Sequence, residues 1–149
     1  MPAVQKHELG QVLMLSLRDF QQRLDGDLES QGFPGIRHRH RAVFMHLARH
    51  GASRSVDLAA AACIRRQSMM KIVHELEELS LVSRRADPED SRAKLVELTS
   101  KGELLIQQLT QSTEQVWQQY AGMIGERDLQ QVTGALQTLL VKSEMTKVN

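Results

Sequence analysis

Apolar side chains recur every three or four residues near the start of the chain, and this spacing predicts a long helix over 8–29. Three further apolar side chains widen the stripe, so we expect this helix to be buried on more than one side. The cluster 32–35, with two glycines and a proline, predicts its end. The stripe consists of Leu9, Leu13, Leu17, Phe20, Leu24 and Leu28, widened by Val12, Met14 and Leu15.

Three shorter helices are predicted next, over residues 38–50, 56–62 and 66–79. Gly51 is a suitable stop for the first of them, and Ser53 or Ser55 can cap the second. A tight corner at 63–65 separates the second from the third. The side chains expected to face inward are Val43, Phe44 and Leu47 in the first helix and Met69, Ile72, Val73 and Leu76 in the third.

After residue 80 the helical period changes to strand-like segments. Residues 81–85 and 93–98 are predicted strands, and the polar segment 87–91 between them predicts a turn. Together they form a β-hairpin with a charged tip.

Helical spacing returns at Thr99 or Ser100 and continues to about residue 124, where Gly125 interrupts it. Ser100 and Glu103 fit a capping box at the start of this helix. A last helix is predicted over 126–142, with a frayed tail after Lys142.

The order helix, short helix, corner, helix and β-hairpin describes a winged helix-turn-helix. The predicted fold class is therefore mainly α with a small β-hairpin wing, flanked by N- and C-terminal helices. Those outer helices carry more apolar surface than a lone winged helix can bury, so we expect a homodimer. The predicted parts are an N-terminal dimerisation helix (1–36), a winged helix-turn-helix DNA-binding domain (37–99) and C-terminal dimerisation helices (100–149).

The formal net charge of +1 conceals an uneven distribution. Residues 1–36 and 102–149 each carry three bases and five acids, whereas the centre, 37–101, is strongly basic. Within the centre, residues 37–54 contain five arginines and no acid. A basic centre between acidic ends suggests a polyanion-binding surface, although solvated basic faces are common.

Several classes of protein receive no support from the sequence. No phosphate-cradling glycine loop, zinc-protease motif or nucleophile elbow is present, so we do not expect an enzyme or a cofactor. No apolar run approaches a membrane span, and the N-terminus does not resemble a signal peptide, so a cytoplasmic, nucleoid-associated protein is expected. The single cysteine, Cys63, excludes a multi-cysteine zinc site within one chain.

Residues 52–102 resemble the MarR (multiple antibiotic resistance regulator) family of winged-helix transcription regulators. The most specific part is Asp87-Pro88-Glu89-Asp90-Ser91-Arg92 followed by Leu98-Thr99 and Gly102, placed where a wing is expected. Supporting segments are Asp57-Leu58-Ala59, Arg66-Gln67-Ser68-Met69, Leu76-Glu77 and Leu81-Val82-Ser83-Arg84-Arg85. Three residues depart from the common pattern: Cys63 and Ser80 stand where glycine is usual, and Arg65 where Ser or Thr often caps the recognition helix.

The resemblance implies that the helix over 66–79 is the recognition helix, which enters the major groove of DNA. Gln67, Ser68, Lys71 and His74 lie away from its apolar stripe, where glutamine can pair with adenine and lysine can reach guanine or phosphate. Arg65 and Arg66 at the helix start are expected to contact phosphates. The alternative for these polar positions is a solvated helix face.

In the wing, the resemblance implies that Arg92 enters the minor groove, where narrow A·T-rich tracts concentrate negative potential. Asp90 can hold its guanidinium through a bidentate pair; the alternative is that this pair only staples the hairpin. Arg84, Arg85 and Lys94 are expected phosphate contacts.

Two other features leave alternatives open. His38 and His40 could offer metal ligands. However, residues that lie two positions apart on a helix do not face the same way, and the sequence implies no further ligand. A basic helix start near the dimer centre or an effector pocket is the other interpretation. Cys63 could sense oxidants, or it could be a small residue packed at the corner.

The sequence therefore predicts a sequence-specific double-stranded-DNA-binding regulator, a homodimeric repressor that binds an inverted repeat. The resemblance further implies release from DNA by a small-molecule effector, for which the basic segment 37–41 suggests an anionic or phenolic compound. The alternatives are a winged-helix protein-interaction module without DNA binding and a redox-sensing regulator based on Cys63.

Overall fold

The computed structural model describes residues 3–147 of the chain. In this part of the chain a single 3₁₀ turn precedes six α-helices and three β-strands. The elements are α1 (Leu9–Ser30), α2 (His38–His50), β1 (Ser53–Arg54), α3 (Ser55–Ala62), α4 (Arg66–Glu78), β2 (Val82–Asp87), β3 (Asp90–Leu98), α5 (Ser100–Ile124) and α6 (Glu126–Lys147). The predicted fold class, mainly α with a winged helix-turn-helix, is confirmed.

The chain divides into two compact units, residues 1–112 and 113–149. The core of the first unit forms where α2, α3, α4 and the hairpin pack together, and every side chain that was expected to face inward from α2 and α4 is buried. Fully buried members from four elements include Phe44, Leu58, Met69, Leu76 and Val96. In the second unit, Trp117 Nε1 donates to both carboxylate oxygens of Glu126, at 3.1 Å each, across the Gly125 break.

The N-terminal half of α1 differs from its prediction. We expected burial on more than one side, yet in the single chain only Leu24 and Leu28 of this helix are buried. The apolar side chains of residues 9–17 remain exposed, from 40% for Leu13 to 58% for Leu9, whereas Phe20 is intermediate. The helix therefore has an apolar face that one copy of the chain does not cover.

The sheet is antiparallel with strand order β1-β3-β2, and its first strand was not predicted. β1 has only two residues, and it pairs Ser53 with Val96 and Arg54 with Leu95. The predicted polar turn 87–91 is shorter than expected, because β2 and β3 extend to Asp87 and Asp90 and leave two residues at the tip. A register irregularity between Ala86 and Asp87 accommodates this tight tip.

The predicted helix caps are wrong in two places. Arg54 is the N-cap of α3, and Ser53 Oγ instead donates to the Gly51 carbonyl, 2.9 Å away. At α5 the capping side chain is Thr99, whose Oγ1 accepts the N–H of Gly102 at 3.1 Å, so the expected box from Ser100 to Glu103 is one residue out of register. The last helix also extends further than predicted, to Lys147.

A buried histidine joins α2 to α4. His40 is 2% exposed, its Nδ1 accepts the backbone N–H of Arg37 at 3.0 Å, and its Nε2 lies 2.7 Å from a carboxylate oxygen of Glu75. Since Nδ1 is an acceptor, Nε2 carries the proton and donates it to Glu75. Burial lowers the pKa of His40, which favours this neutral form, and the same hydrogen bond lowers the pKa of Glu75.

Candidate nucleic-acid interface

The recognition helix α4 has one buried face and one free face. Its apolar stripe is between 0% and 7% exposed, and at 3.6 residues per turn Gln67, Lys71 and His74 lie opposite that stripe. All three are exposed, as the sequence predicted, while Ser68 lies on one flank and Met70 on the other. The free face carries one internal ion pair, because His74 Nε2 lies 3.2 Å from Glu78.

The start of α4 combines free amides with positive side chains. Arg65 is the N-cap, and its side chain makes no capping hydrogen bond, so the amides of the first turn are not satisfied by that residue. Arg65 and Arg66 are both exposed there. Unpaired helix amides and arginines both attract anions, so this end of the helix has the chemistry of a phosphate contact.

Arg92 lies on β3 with its side chain exposed. Asp90 holds the residue in a way that differs from the prediction: its Oδ1 accepts the backbone N–H of Arg92 at 3.0 Å, and it does not pair with the guanidinium. The short Asp90 side chain accepts a hydrogen bond from a nearby backbone amide and therefore does not extend to the Arg92 guanidinium. Asp90 therefore fixes the backbone and leaves the guanidinium available.

A groove of about 470 Å³ lies between the start of α3, the recognition helix and the wing. It collects five basic side chains and one acid over an apolar floor, so it has the charge expected of a surface for a polyanion. The bases are Arg54, Arg66, Arg84, Arg92 and Lys94, the acid is Asp90, and Val56, Met70 and Ala93 are among the apolar residues.

The groove contains residues that the sequence analysis missed. Arg54, Val56 and Met70 were not predicted to lie there. Arg54 lies in a two-residue strand that the sequence does not reveal. Val56 and Met70 are apolar residues in helices, and such residues do not indicate a binding site.

Five of the predicted residues line this groove, namely Arg66, Arg84, Asp90, Arg92 and Lys94. The others do not, namely Arg65, Gln67, Ser68, Lys71, His74 and Arg85. The Nε of Arg85 instead lies 2.9 Å from Glu97. Arg84 lines the groove but also forms an ion pair with Glu77, at 2.8 Å, without good hydrogen-bond alignment.

The wing is tied to the helical part by Arg54 and Asp87. Arg54 Nε and Nη2 lie 2.7 and 2.6 Å from the same oxygen of Asp87, and the other oxygen accepts the Glu89 N–H at 2.9 Å. That backbone hydrogen bond and the Arg54 guanidinium lower the pKa of Asp87. The carboxylate side chain is 6% exposed, so it serves as a buried fastener between β1 and the hairpin tip.

The basic segment 37–41 is partly neutralised within the chain. Arg41 forms an ion pair with Asp25, and Arg39 lies 3.3 Å from Glu75. His38 is exposed whereas His40 is buried, so the two imidazoles do not share a surface. Among residues 3–147 no group of three potential ligands is placed to hold a metal ion.

Cys63 is exposed and has a left-handed backbone, with φ of 55°. It occupies the corner between α3 and α4. Glycine is usual at this position in the family, because glycine adopts the left-handed conformation readily. The interpretation of Cys63 as a small residue packed at the corner is therefore wrong, because the residue is exposed.

These elements define a winged helix-turn-helix protein. Residues 32–93 match the model of the MarR family, which confirms the predicted resemblance over residues 52–93 and extends it back to α2. The whole fold is that of MarR-family transcription regulators. None of the curated proteins compared with the chain matches it, and no helix of residues 3–147 could cross a membrane.

Solved structures agree along almost the whole chain. The structure of MarR is similar at 20% identity over 93% of this chain and 98% of its own, with a TM-score of 0.73. A MarR-family transcriptional regulator from Rhodococcus sp. RHA1 is 22% identical over 93% and 96%, with a TM-score of 0.70. NadR, solved in complex with 4-hydroxyphenylacetate, is 24% identical over 93% and 97%, with a TM-score of 0.62.

Replacing Asp87 with asparagine tests whether the fastener holds the wing. Asp87→Asn removes the charge that pairs with Arg54 while keeping a side-chain oxygen for the Glu89 amide. We expect faster hydrogen exchange at residues 89–92 and a lower urea midpoint of unfolding. The matched control is Glu97→Gln, which removes the half-exposed partner of Arg85 and should change either measurement much less. Equal behaviour of the two variants would show that the fastener is not needed.

Proposed function

We propose that the protein is a homodimeric regulator of transcription that binds double-stranded DNA in a sequence-specific manner. The observation that carries the proposal is the basic groove, where Arg66 of the recognition helix and Arg92 of the wing face the same space. Neither guanidinium has an ion-pair partner among the described residues. Both are thus free to contact a polyanion.

The proposed docking follows from dimensions. An α-helix of 10–12 Å diameter enters a major groove of about 12 Å, so the free face of α4 would meet base edges there. Gln67 would pair with adenine and Lys71 with guanine or phosphate, with Ser68 and His74 beside them. Arg65, Arg66, Arg84 and Lys94 would contact phosphates, and Arg92 would enter the adjacent minor groove.

Arg85 is the weakest of the proposed phosphate contacts. Its guanidinium is held by Glu97, and it lies outside the groove. A contact with DNA would therefore require it to exchange one partner for another, which reduces the net gain in free energy.

The outer helices, within 1–36 and 100–149, are proposed as the dimerisation region. The exposed apolar residues on α1 favour this assignment, and α6 adds a second set that consists of Val132, Leu136, Leu139, Leu140, Val141 and Met145. Monomeric proteins rarely leave contiguous apolar surface of this extent in water. Two-fold symmetry would present two recognition helices to successive major grooves, so the operator should be an inverted repeat.

A small effector is proposed to release the repressor from DNA, and an anionic or phenolic compound is its proposed class. The support is the basic segment 37–41 together with the structural likeness to NadR, whose bound 4-hydroxyphenylacetate is both anionic and phenolic. Since Arg39 and Arg41 already have acidic partners, Arg37 is the better candidate for a carboxylate contact.

Calorimetry with a panel of aromatic acids should detect binding, and a bound acid should lower the affinity for DNA. If no acid in the panel binds, the effector proposal is overturned. If a bound acid lowers the affinity of Cys63→Ser for DNA as it does for wild type, redox sensing by Cys63 is excluded.

The first test is DNA binding by wild type and Arg92→Ala. A randomised duplex pool is selected with the full chain, and the selected sequence is titrated by fluorescence anisotropy at several salt concentrations. We expect an inverted repeat, an affinity that falls steeply with salt, and a loss of about 1–3 kcal/mol in Arg92→Ala. The control is Arg127→Ala, which removes an exposed arginine from α6 and should leave the affinity unchanged. Failure to select any sequence would favour a protein-interaction module.

The second test concerns the dimer. The double variant Leu136→Glu, Leu139→Glu places two charges on the exposed apolar face of α6, so sedimentation should show a shift from dimer to monomer. The matched control, Gln131→Glu with Gln137→Glu, adds the same charge at exposed polar positions of the same helix and should remain dimeric. A dimer that survives both pairs of substitutions would place the interface elsewhere.

A further inference from the structure

The backbone that follows the recognition helix is held by the first residues of α5. Three consecutive carbonyls, those of residues 79–81, each accept a hydrogen bond from this helix start. Lys101 Nζ donates to Leu79 at 3.0 Å, Thr99 Oγ1 donates to Ser80 at 2.6 Å, and the Thr99 N–H donates to Leu81 at 3.1 Å. We call this set of contacts the α4–α5 joint.

Two features make the joint close and rigid. A Cβ atom added to Gly102 would lie 2.2 Å from the Leu81 carbonyl oxygen, so only glycine permits this approach of the two backbones. The Thr99 hydroxyl also acts on both sides, because it donates to Ser80 and accepts the Gly102 N–H at 3.1 Å. One side chain thus caps α5 and binds the end of α4.

Residues 79–81, whose carbonyls accept these hydrogen bonds, directly continue the recognition helix. The Ser80 N–H donates to the Glu77 carbonyl at 2.9 Å, and the Leu81 N–H donates to Leu76 at 3.0 Å. Ser80 has a left-handed backbone with φ of 60°, as a helix-terminating residue of this pattern requires. A displacement of the first turn of α5 therefore reaches α4 through hydrogen bonds, without passing through the wing.

We propose that Thr99 is a positioning residue that locks the recognition helix to α5, so that α5 sets the separation of the two recognition helices in the homodimer. This inference rests on the proposed homodimer, and it explains why the threonine and glycine of the Leu98-Thr99…Gly102 segment accompany a wing. The DNA-contacting residues lie on α4 and the wing, whereas Thr99 acts only through α4.

The natural cysteine permits a test that does not depend on DNA. Cys63 is the only cysteine, is exposed and lies three residues before α4, so a spin label on it reports the position of each recognition helix. Double electron–electron resonance on the labelled full-length homodimer should give one narrow distance distribution. Thr99→Val keeps the shape but loses both hydroxyl contacts, and we expect a broadened distribution that Thr99→Ser restores.

A matched control lies on the same helix. Thr110 is exposed, and its hydroxyl bonds only within α5, to Ile106 at 3.4 Å, so Thr110→Val should leave the distribution narrow. If Thr99→Val fails to fold, Lys101→Met provides the second variant, since it removes the exposed contact to Leu79 and keeps the aliphatic stem. It should broaden the distribution in the same way but less.

The same variants are then titrated with duplexes whose half-sites are moved apart by one or two base pairs. Wild type should discriminate against altered spacing, and Thr99→Val should lose this discrimination by about tenfold, within the usual range of coupling between sites. The affinity of Thr99→Val for a single half-site should equal that of wild type. A general loss of stability would instead lower this affinity as well.

The outcomes separate the two proposals. A broadened distribution in Thr99→Val supports the joint even if no DNA sequence is selected, in which case only the proposed function fails. A narrow distribution in both Thr99→Val and Lys101→Met overturns the joint while leaving DNA binding intact. A monomeric wild type overturns the inference, because no second recognition helix would then be positioned.

Discussion

The burial of one face of α4 is the constraint on which the rest of the structure depends. Met69, Ile72, Val73 and Leu76 lie in the core of the first unit, and their burial fixes the rotation of the helix about its own axis. Once that rotation is fixed, Gln67, Lys71 and His74 must face outwards. Removal of apolar surface from water, at roughly 25 cal/mol per Å², therefore also determines which polar residues are offered to a ligand.

Fixing the rotation of a helix does not fix its position along and across the core. The His40–Glu75 hydrogen bond supplies part of that information, because it joins α4 to α2. The Arg54–Asp87 pair separately ties the wing to β1. Both involve nearly buried partners, His40 and Asp87, for which loss of the partner would leave a polar group unsatisfied. Apolar packing holds the recognition helix in place, and these polar contacts specify where α2 meets it and where the wing meets β1.

The elements could be predicted from the sequence because each depends on local spacing. The helices over 38–50 and 66–79 were predicted almost to the residue, since their apolar periods are strong, Gly51 ends the first and a corner precedes the second. The two-residue strand β1 could not be predicted, because it exists only through pairing with β3, about 40 residues later in the chain. The caps were wrong because several hydroxyls near each helix start could serve, and other contacts decide their use. The Ser53 hydroxyl binds the nearby Gly51 carbonyl, whereas the capping hydroxyl of Thr99 also binds the distant Ser80 carbonyl.

The same distinction applies to the candidate interface. The distribution of charge suggested a polyanion-binding surface in the centre of the chain, but it could not tell which bases are free. Arg39, Arg41 and Arg85 have acidic partners from other segments, whereas Arg66 and Arg92 have none within residues 3–147. The pairing of Asp90 was also misjudged, because a carboxylate at a turn binds the nearest backbone amide more readily than a long side chain two residues away.

Cys63 and Ser80 show how the joint and the helix ends are related. Both are non-glycine residues with left-handed backbones, at the ends of α3 and α4, and this conformation costs an L-residue roughly 1–2 kcal/mol. At Ser80 the cost is offset by contacts on both sides of the residue, since its N–H is bound by α4 and its carbonyl by Thr99. Its conformation is thus maintained by the two helices together, and anything that separates α5 from α4 also relaxes the end of the recognition helix.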